Sequence, residues 1–254
     1  MNGDVDKSGQ RIRRMFGQIA GRYDLLNRTL SAGTDVYWRN RAVQQVPLQP
    51  GSRLLDVCTG TGDLALAFWQ QGKGQVDVVG TDFTHEMLAL ACTKGSRAVQ
   101  KATRSSGTES ATRPLTFLEA DTQHLPFEDS SFDAVTVAFG LRNCSDTSLA
   151  LREMARVCKP GGQVMVLEFS MPQQKVLGGL YRFYFLRVLP RVGQLLARNP
   201  ESAYSYLPES VGQFPSGKAL AQQMEQCGLE QVRWTPLTLG IATIYHGICS
   251  GSPS

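Results

Sequence analysis

Short apolar runs alternate with longer amphipathic stretches through the first two thirds of the chain. Residues 54–56, 76–82, 115–121, 131–139 and 163–169 read as strands, by their length and β-branched or aromatic content. Helix-forming runs lie between some of them, at 64–70 and 146–157, the latter with Leu149, Met154 and Val157 among its apolar positions. Such alternation predicts an α/β fold, a parallel sheet with helices on both faces. Lys159-Pro160-Gly161-Gly162 marks a turn after the second helix. Farther on, 218–227 reads as a helix stopped by Gly228, with strand-like segments at 231–238 and 241–248.

Three stretches fall outside this rhythm. Residues 11–46 form a candidate N-terminal helical lid carrying Phe16, Ile19, Tyr23, Leu25, Leu26, Leu30 and Trp38. Residues 176–210 form a candidate cap, where Tyr181, Phe183, Tyr184, Phe185 and Leu186 are interleaved with Arg182, Arg187 and Arg191. Both read either as helices packed on the domain or as joint walls of an apolar trough for a lipophilic substrate. Pro190 should kink or end the second. Residues 95–113 are small and polar, which predicts a mobile and dispensable surface insertion. No repeat is visible, and the 254 residues suit a single domain.

Composition narrows the classes. Hydrophobic residues make up 42% of the chain, yet no apolar run reaches the roughly 18 residues of a membrane span. Residues 1–14 are polar, without the apolar core of a secretory signal. Six scattered cysteines without paired spacing read as free thiols in a reducing cytoplasm, and no metal-ligand cluster is evident. The net charge of +4 permits peripheral contact with the inner face of an anionic membrane, but is too diffuse to argue for nucleic acid.

The candidate chemistry begins at Leu54-Leu55-Asp56-Val57-Cys58-Thr59-Gly60-Thr61-Gly62-Asp63. A strand, a glycine turn and a following helix make a nucleotide-binding loop: Gly60 and Gly62 allow close ligand approach, and the helix offers free N–H groups. Ala65 completes Gly-x-Gly-x-x-Ala, so a dinucleotide oxidoreductase and a methyltransferase both remain open. Asp56 and Asp63 repel a pyrophosphate but attract a sulfonium ligand with a free amino group. Asp82, ending the second strand, suits a ribose diol in either class, and Asp121, ending the third, is placed to meet an adenine amino group.

With these residues in view, nearly the whole chain resembles the ubiquinone/menaquinone biosynthesis C-methyltransferase family. The resemblance rests on Met15-Phe16-Gly17-Gln18-Ile19-Ala20-Gly21-Arg22-Tyr23-Asp24-Leu25-Leu26-Asn27, Phe139-Gly140-Leu141-Arg142-Asn143 and Tyr204-Ser205-Tyr206-Leu207-Pro208-Glu209-Ser210. The wording of the glycine loop is more similar to demethylmenaquinone members. The resemblance implies a class I, Rossmann-like methyltransferase fold and S-adenosylmethionine as cofactor, held by Thr61, Asp82 and the Asp121–Thr122 pair. Ala138 stands where members often carry a serine contact, so no hydroxyl bond carries over there.

The implied reaction methylates a ring carbon of a prenylated naphthoquinol, demethylmenaquinol to menaquinol. A benzoquinol of the ubiquinone branch, or a phytyl naphthoquinol, is the alternative substrate, and a non-catalytic cofactor-binding subunit is a further reading. A homodimer is compatible with all of them. Losing a phenolic proton makes the ring carbon nucleophilic. Arg142 is then the candidate to stabilise the phenolate or orient a water that takes the proton, and Asn143 to hydrogen-bond a quinol oxygen. Tyr23 and Tyr184 are candidates to line the ring. Among His85, His124 and His246, the last is a candidate base.

Overall fold

The strands align because their side chains alternate between two cores. Leu55, Val135, Val164 and Val166 face one apolar cluster, and Leu54, Ala134, Met165 and Leu167 the other. The computed structural model describes residues 7–106, 112–172 and 203–250, with Gly179, Tyr184 and Arg187. Among the described residues, β1 (Arg53–Val57), β2 (Asp77–Asp82), β3 (Leu115–Glu119), β4 (Phe132–Ala138) and β5 (Cys158–Phe169) run parallel. After them, β6 (Leu229–Leu237) and β7 (Ala242–Cys249) complete a sheet in the order β3-β2-β1-β4-β5-β7-β6, with β7 antiparallel to both its neighbours. The order reverses between β1 and β4, and a crevice opens outside the carboxyl ends of strands at such a switch point.

Helices α1 (Gly9–Leu30) and α2 (Thr34–Gln45) realise the expected N-terminal helical region, parted by a turn with Gly33 at φ 78°. Helix α3 (Asp63–Gln71) leaves the glycine loop, and α4 (His85–Ser106) follows β2. Helix α5 (Thr147–Val157) starts under Asp146, whose carboxylate accepts from Leu149 N at 2.9 Å. Helices α6 (Ala203–Gln213) and α7 (Lys218–Gln226) precede the antiparallel pair. Most of 176–202, including Pro190, lies outside the described residues.

Two expectations need correction. The turn at 159–162 belongs to β5, which starts at Cys158; the register shifts between Phe132 and Ala134, and Gly161 takes φ 75°. Residues 95–106 are not an insertion but the continuation of α4, with Ala98, Val99 and Ala102 packed on the core. Small side chains there let the helix lie close to β3: a Cβ on Gly95 would sit 2.9 Å from the Phe117 ring. Beyond the helix, Arg113 is pinned by its N–H to Gly74 O (2.7 Å) and its carbonyl to Trp69 Nε1 (3.0 Å). Residues 107–111 lie outside the described set. Replacing 95–113 by a short Gly-Ser link is therefore expected to destabilise the protein by more than about 3 kcal/mol, because several core-facing side chains leave together. Thermal unfolding measures it; an unchanged midpoint would refute the packing role.

Candidate active site

The cofactor half of the site is built by three strand ends. After β1 the chain turns sharply, with Cys58, Gly60 and Gly62 all at positive φ (49°, 57° and 82°). A Cβ on Gly60 would meet nothing within 4 Å, leaving the loop open to a ligand, whereas one on Gly62 would press on Ala91 and Phe117 at 3.0 Å. The carboxylates brace this loop from behind. Asp56, 1% exposed, accepts from Thr59 Oγ1 (2.6 Å) and Thr136 Oγ1 (2.9 Å). Asp82 accepts from Gly60 N (2.9 Å) and Thr84 N (2.8 Å), and burial raises its pKa. Thr122 Oγ1 lies 3.2 Å from Cys58 Sγ. Asp121 is exposed at the rim, two residues past the end of β3, and accepts from Gln123 N at 2.9 Å.

A chain of charges ties the N-terminal helices to this loop. Thr61 Oγ1 donates to Asp24 (2.6 Å) and accepts from Lys94 Nζ (3.0 Å). Lys94 also reaches Asp24 (2.5 Å) and Asp63 (2.6 Å), while Arg39 of α2 bridges Asp63 (3.2 Å) and Asp35.

The other half is aromatic and apolar. Phe139 and Phe169 rings lie 4.4 Å apart, and Trp38 stands 5.9 Å from each. Tyr23, Tyr184 and Leu207 also line the cavity, with Tyr184 OH donating to Leu30 O at 2.9 Å. Between the halves, the turn Leu141–Asn143 carries Arg142, 5% exposed, above the Phe169 ring. Glu168, 1% exposed, accepts from Arg142 Nη1 (3.0 Å), from Arg142 N (3.1 Å) and from Phe169 N (3.0 Å). Arg142 Nη1 also donates to Phe139 O, but its buried Nε has no partner among the described residues. Tyr206 OH donates to Asn143 Oδ1 at 3.0 Å, and burial pushes its phenol up to about 12, so it stays a neutral donor. A Cβ on Gly140 would fall 2.3 Å from Cys58 Cβ, so the two ligand-side turns touch. The cavity holds about 600 Å³.

Residues 4–249 match the ubiE/COQ5 methyltransferase family. The chain belongs to that family. The Geobacter sp. (strain M21) protein named ubiquinone/menaquinone biosynthesis C-methyltransferase UbiE is 47% identical over 243 residues, covering 96% of this chain and 98% of the relative. A demethylmenaquinone methyltransferase of Thermus thermophilus is 47% identical over 233 residues, covering 92% and 99%. A solved SAM-dependent methyltransferase from Thermotoga maritima superposes with a TM-score of 0.60 at 18% identity, over 92% of this chain and 97% of that one, which speaks for the fold alone. The cofactor of this methyltransferase is S-adenosylmethionine. The open face at Gly60 beside a strand-end carboxylate fits such a ligand.

The cavity of this ubiE/COQ5 member gathers Asp56, Gly60, Thr61, Asp82, Asp121, Thr122, Ala138, Arg142 and Asn143 in its wall, with Gly62 in the same loop. The histidines fall elsewhere. His246 lies midway along β7 and bonds Gln163, midway along β5, and neither residue lines the cavity. His85 is exposed, 3.5 Å from Glu119, and His124 is exposed at the surface. Sequence reasoning missed Asp24, Lys94, Arg39 and Glu168. Glu168 stands one residue before the end of a parallel strand, where Asp82 stands at the end of β2, and that repetition is the signal that marks it.

Asp56 makes the methyltransferase's stability pH-dependent. Burial lifts its carboxyl from the ordinary 3.8 to about 7. An acid whose folded pKa is raised adds stability below the unfolded value and loses it as pH climbs through the folded one. Its charged form thus costs the fold on the order of 4 kcal/mol above pH 7 relative to strongly acid solution. Asp56→Asn is expected to flatten this slope between about pH 4 and 7. Denaturant midpoints against pH check it, and an unaltered slope would acquit Asp56.

Proposed function

We propose that this methyltransferase converts demethylmenaquinol to menaquinol by C-methylation of the naphthoquinol ring. The reading is carried by one juxtaposition: a buried Arg142, its Nε–H unused among the described residues, set between an aromatic nest and the cofactor loop. A flat bicyclic ring suits the Trp38–Phe139–Phe169 nest, where offset and tilted aromatic contacts stabilise it. Demethylmenaquinone methyltransferase is also the name borne by the relatives from Thermus thermophilus and Deinococcus radiodurans.

Bound S-adenosylmethionine supplies an electrophilic methyl group on a sulfonium. The chain's own residues do the rest. Asp82 would receive the ribose diol, the Asp121–Thr122 pair the adenine edge, and Thr61 the methionine end. Asp56 holds the loop from below through Thr59 and Thr136. Arg142 would direct its Nε–H at the ring oxygen that loses its proton, stabilising the phenolate or holding the water that accepts that proton. Asn143, fixed by Tyr206, would bond a quinol oxygen and set the ring's angle. Helices α1 and α2 act as a lid, and the prenyl chain leaves along Leu30, Tyr184 and Leu207.

The test is incubation of the purified chain with labelled methyl donor and a panel of reduced prenyl quinones. Label is expected in naphthoquinols lacking the ring methyl group. Label confined to benzoquinols would move the enzyme to the ubiquinone branch, a reading kept open by the double name of the Geobacter relative. No transfer by the chain alone would favour a binding subunit.

A further inference from the structure

We infer that the outer face of α1 and α4 docks on an anionic lipid surface and brings the cavity mouth to it. The inference rests on the lipophilic substrate proposed above. Charge is unevenly placed in this chain. Helices α1 and α4 carry nine lysines and arginines against two carboxylates, Asp24 and Glu86, an excess of seven on a chain whose total is +4. The rest of the chain therefore sums to a net negative charge, so the basic excess is concentrated on these two helices.

The two helices lie side by side and run the same way. Gly17 sits against Glu86, where a Cβ would come within 3.0 Å of the carboxylate, and Asp24 meets Lys94 two turns on. Past that contact, α4 exposes Arg97, Lys101 and Arg104 at spacings of four and three, one side of a helix. Alongside, α1 exposes Leu25, 68% exposed, with the exposed Arg22 and Arg28 three residues to either side, Arg28 also pairing with Asp35 at 3.5 Å, and Arg14 three turns earlier. A large exposed apolar side chain flanked by arginines suits a bilayer interface: the leucine enters the acyl boundary while the guanidiniums meet phosphates. A nucleic acid would use the charge but give Leu25 no apolar partner.

The position of this face gives it a use. The next turn of α1 and the turn after it, Thr29 to Ala32, line the cavity. Tyr184 is bonded to Leu30 O there, and Arg187 near it is exposed. A chain docked through Leu25 thus sets its cavity mouth at the depth where a prenyl tail leaves the bilayer.

The experiment is co-sedimentation of the full chain with vesicles of phosphatidylcholine, with and without phosphatidylglycerol, at low and high salt. Binding is expected with the anionic lipid only, and to weaken with salt. The double variant Arg97→Glu/Arg104→Glu should lower partitioning roughly a thousandfold, since each reversal removes one attraction to the surface and adds one repulsion. Leu25→Asp should weaken binding at high salt as well, and Arg233→Glu, on the far strand β6, should change nothing. Turnover of a water-soluble short-chain quinol should be the same in all four proteins. Variants that bind like the parent, or equal binding to short duplex DNA at the same salt, would overturn the docking face. Failure of every protein to methylate the soluble quinol, with vesicle binding intact, would instead remove the functional reading.

Discussion

Arg142→Ala is expected to lower turnover about a hundred- to a thousandfold, the scale of one preorganised donor lost from a charge-stabilising site. It should also cost roughly 3–5 kcal/mol of stability, because Glu168 would keep its charge in the interior without its cation. Other variants separate the two effects. Arg142→Lys restores a cation beside Glu168 but lacks the Nε–H and the planar fork, so stability should largely return while turnover stays low. Glu168→Gln leaves the cation unpaired and should destabilise in its turn. The pair Arg142→Met/Glu168→Gln should be less unstable than the two single losses added, as expected where partners share one buried contact. Chemical denaturation beside single-turnover methyl transfer reads both quantities. A normal rate per folded molecule in the alanine variant would move the oxyanion contact to another residue.

Asp82→Ala is expected to weaken cofactor binding by about 1.5–3 kcal/mol, the scale of a hydrogen bond to a charged group. The loss has two sources. A ribose diol would lose its acceptor, and the N–H groups of Gly60 and Thr84 would lose the carboxylate that orients the loop. Titration calorimetry with S-adenosylhomocysteine measures it. Unchanged affinity would show that Asp82 is a purely structural brace and that the ribose is held elsewhere.

The parallel sheet was legible because each central strand is short, apolar and bounded by a turn, and the glycine loop because Gly60 and Gly62 stand where only tight backbone geometry serves. The long α4 was hidden because Ser96, Thr103 and Gly95 have weak helix preference, and packing of Ala98, Val99 and Ala102 outweighs it. The partner of Arg142 was hidden for another reason. The motif marks Arg142 for its chemistry, but nothing local records that Glu168, on the neighbouring strand, lies 3.0 Å away. His246 misled because a lone titratable ring gives no hint of whether its place on the strand faces the ligand. Long-range placement, not local chemistry, decided each of these.

The contact between Gly140 and Cys58 has a thermodynamic consequence. With no side chain at 140, the turn after β4 rests directly on the turn after β1. A ligand that shifts one turn is therefore expected to shift the other, and isothermal titration of each ligand in the presence of the other measures that coupling. Linkage then makes the effect mutual: whatever the cofactor adds to quinol affinity, the quinol adds to cofactor affinity by the same factor. A side chain at 140 would wedge the turns apart and bring that shared factor toward one.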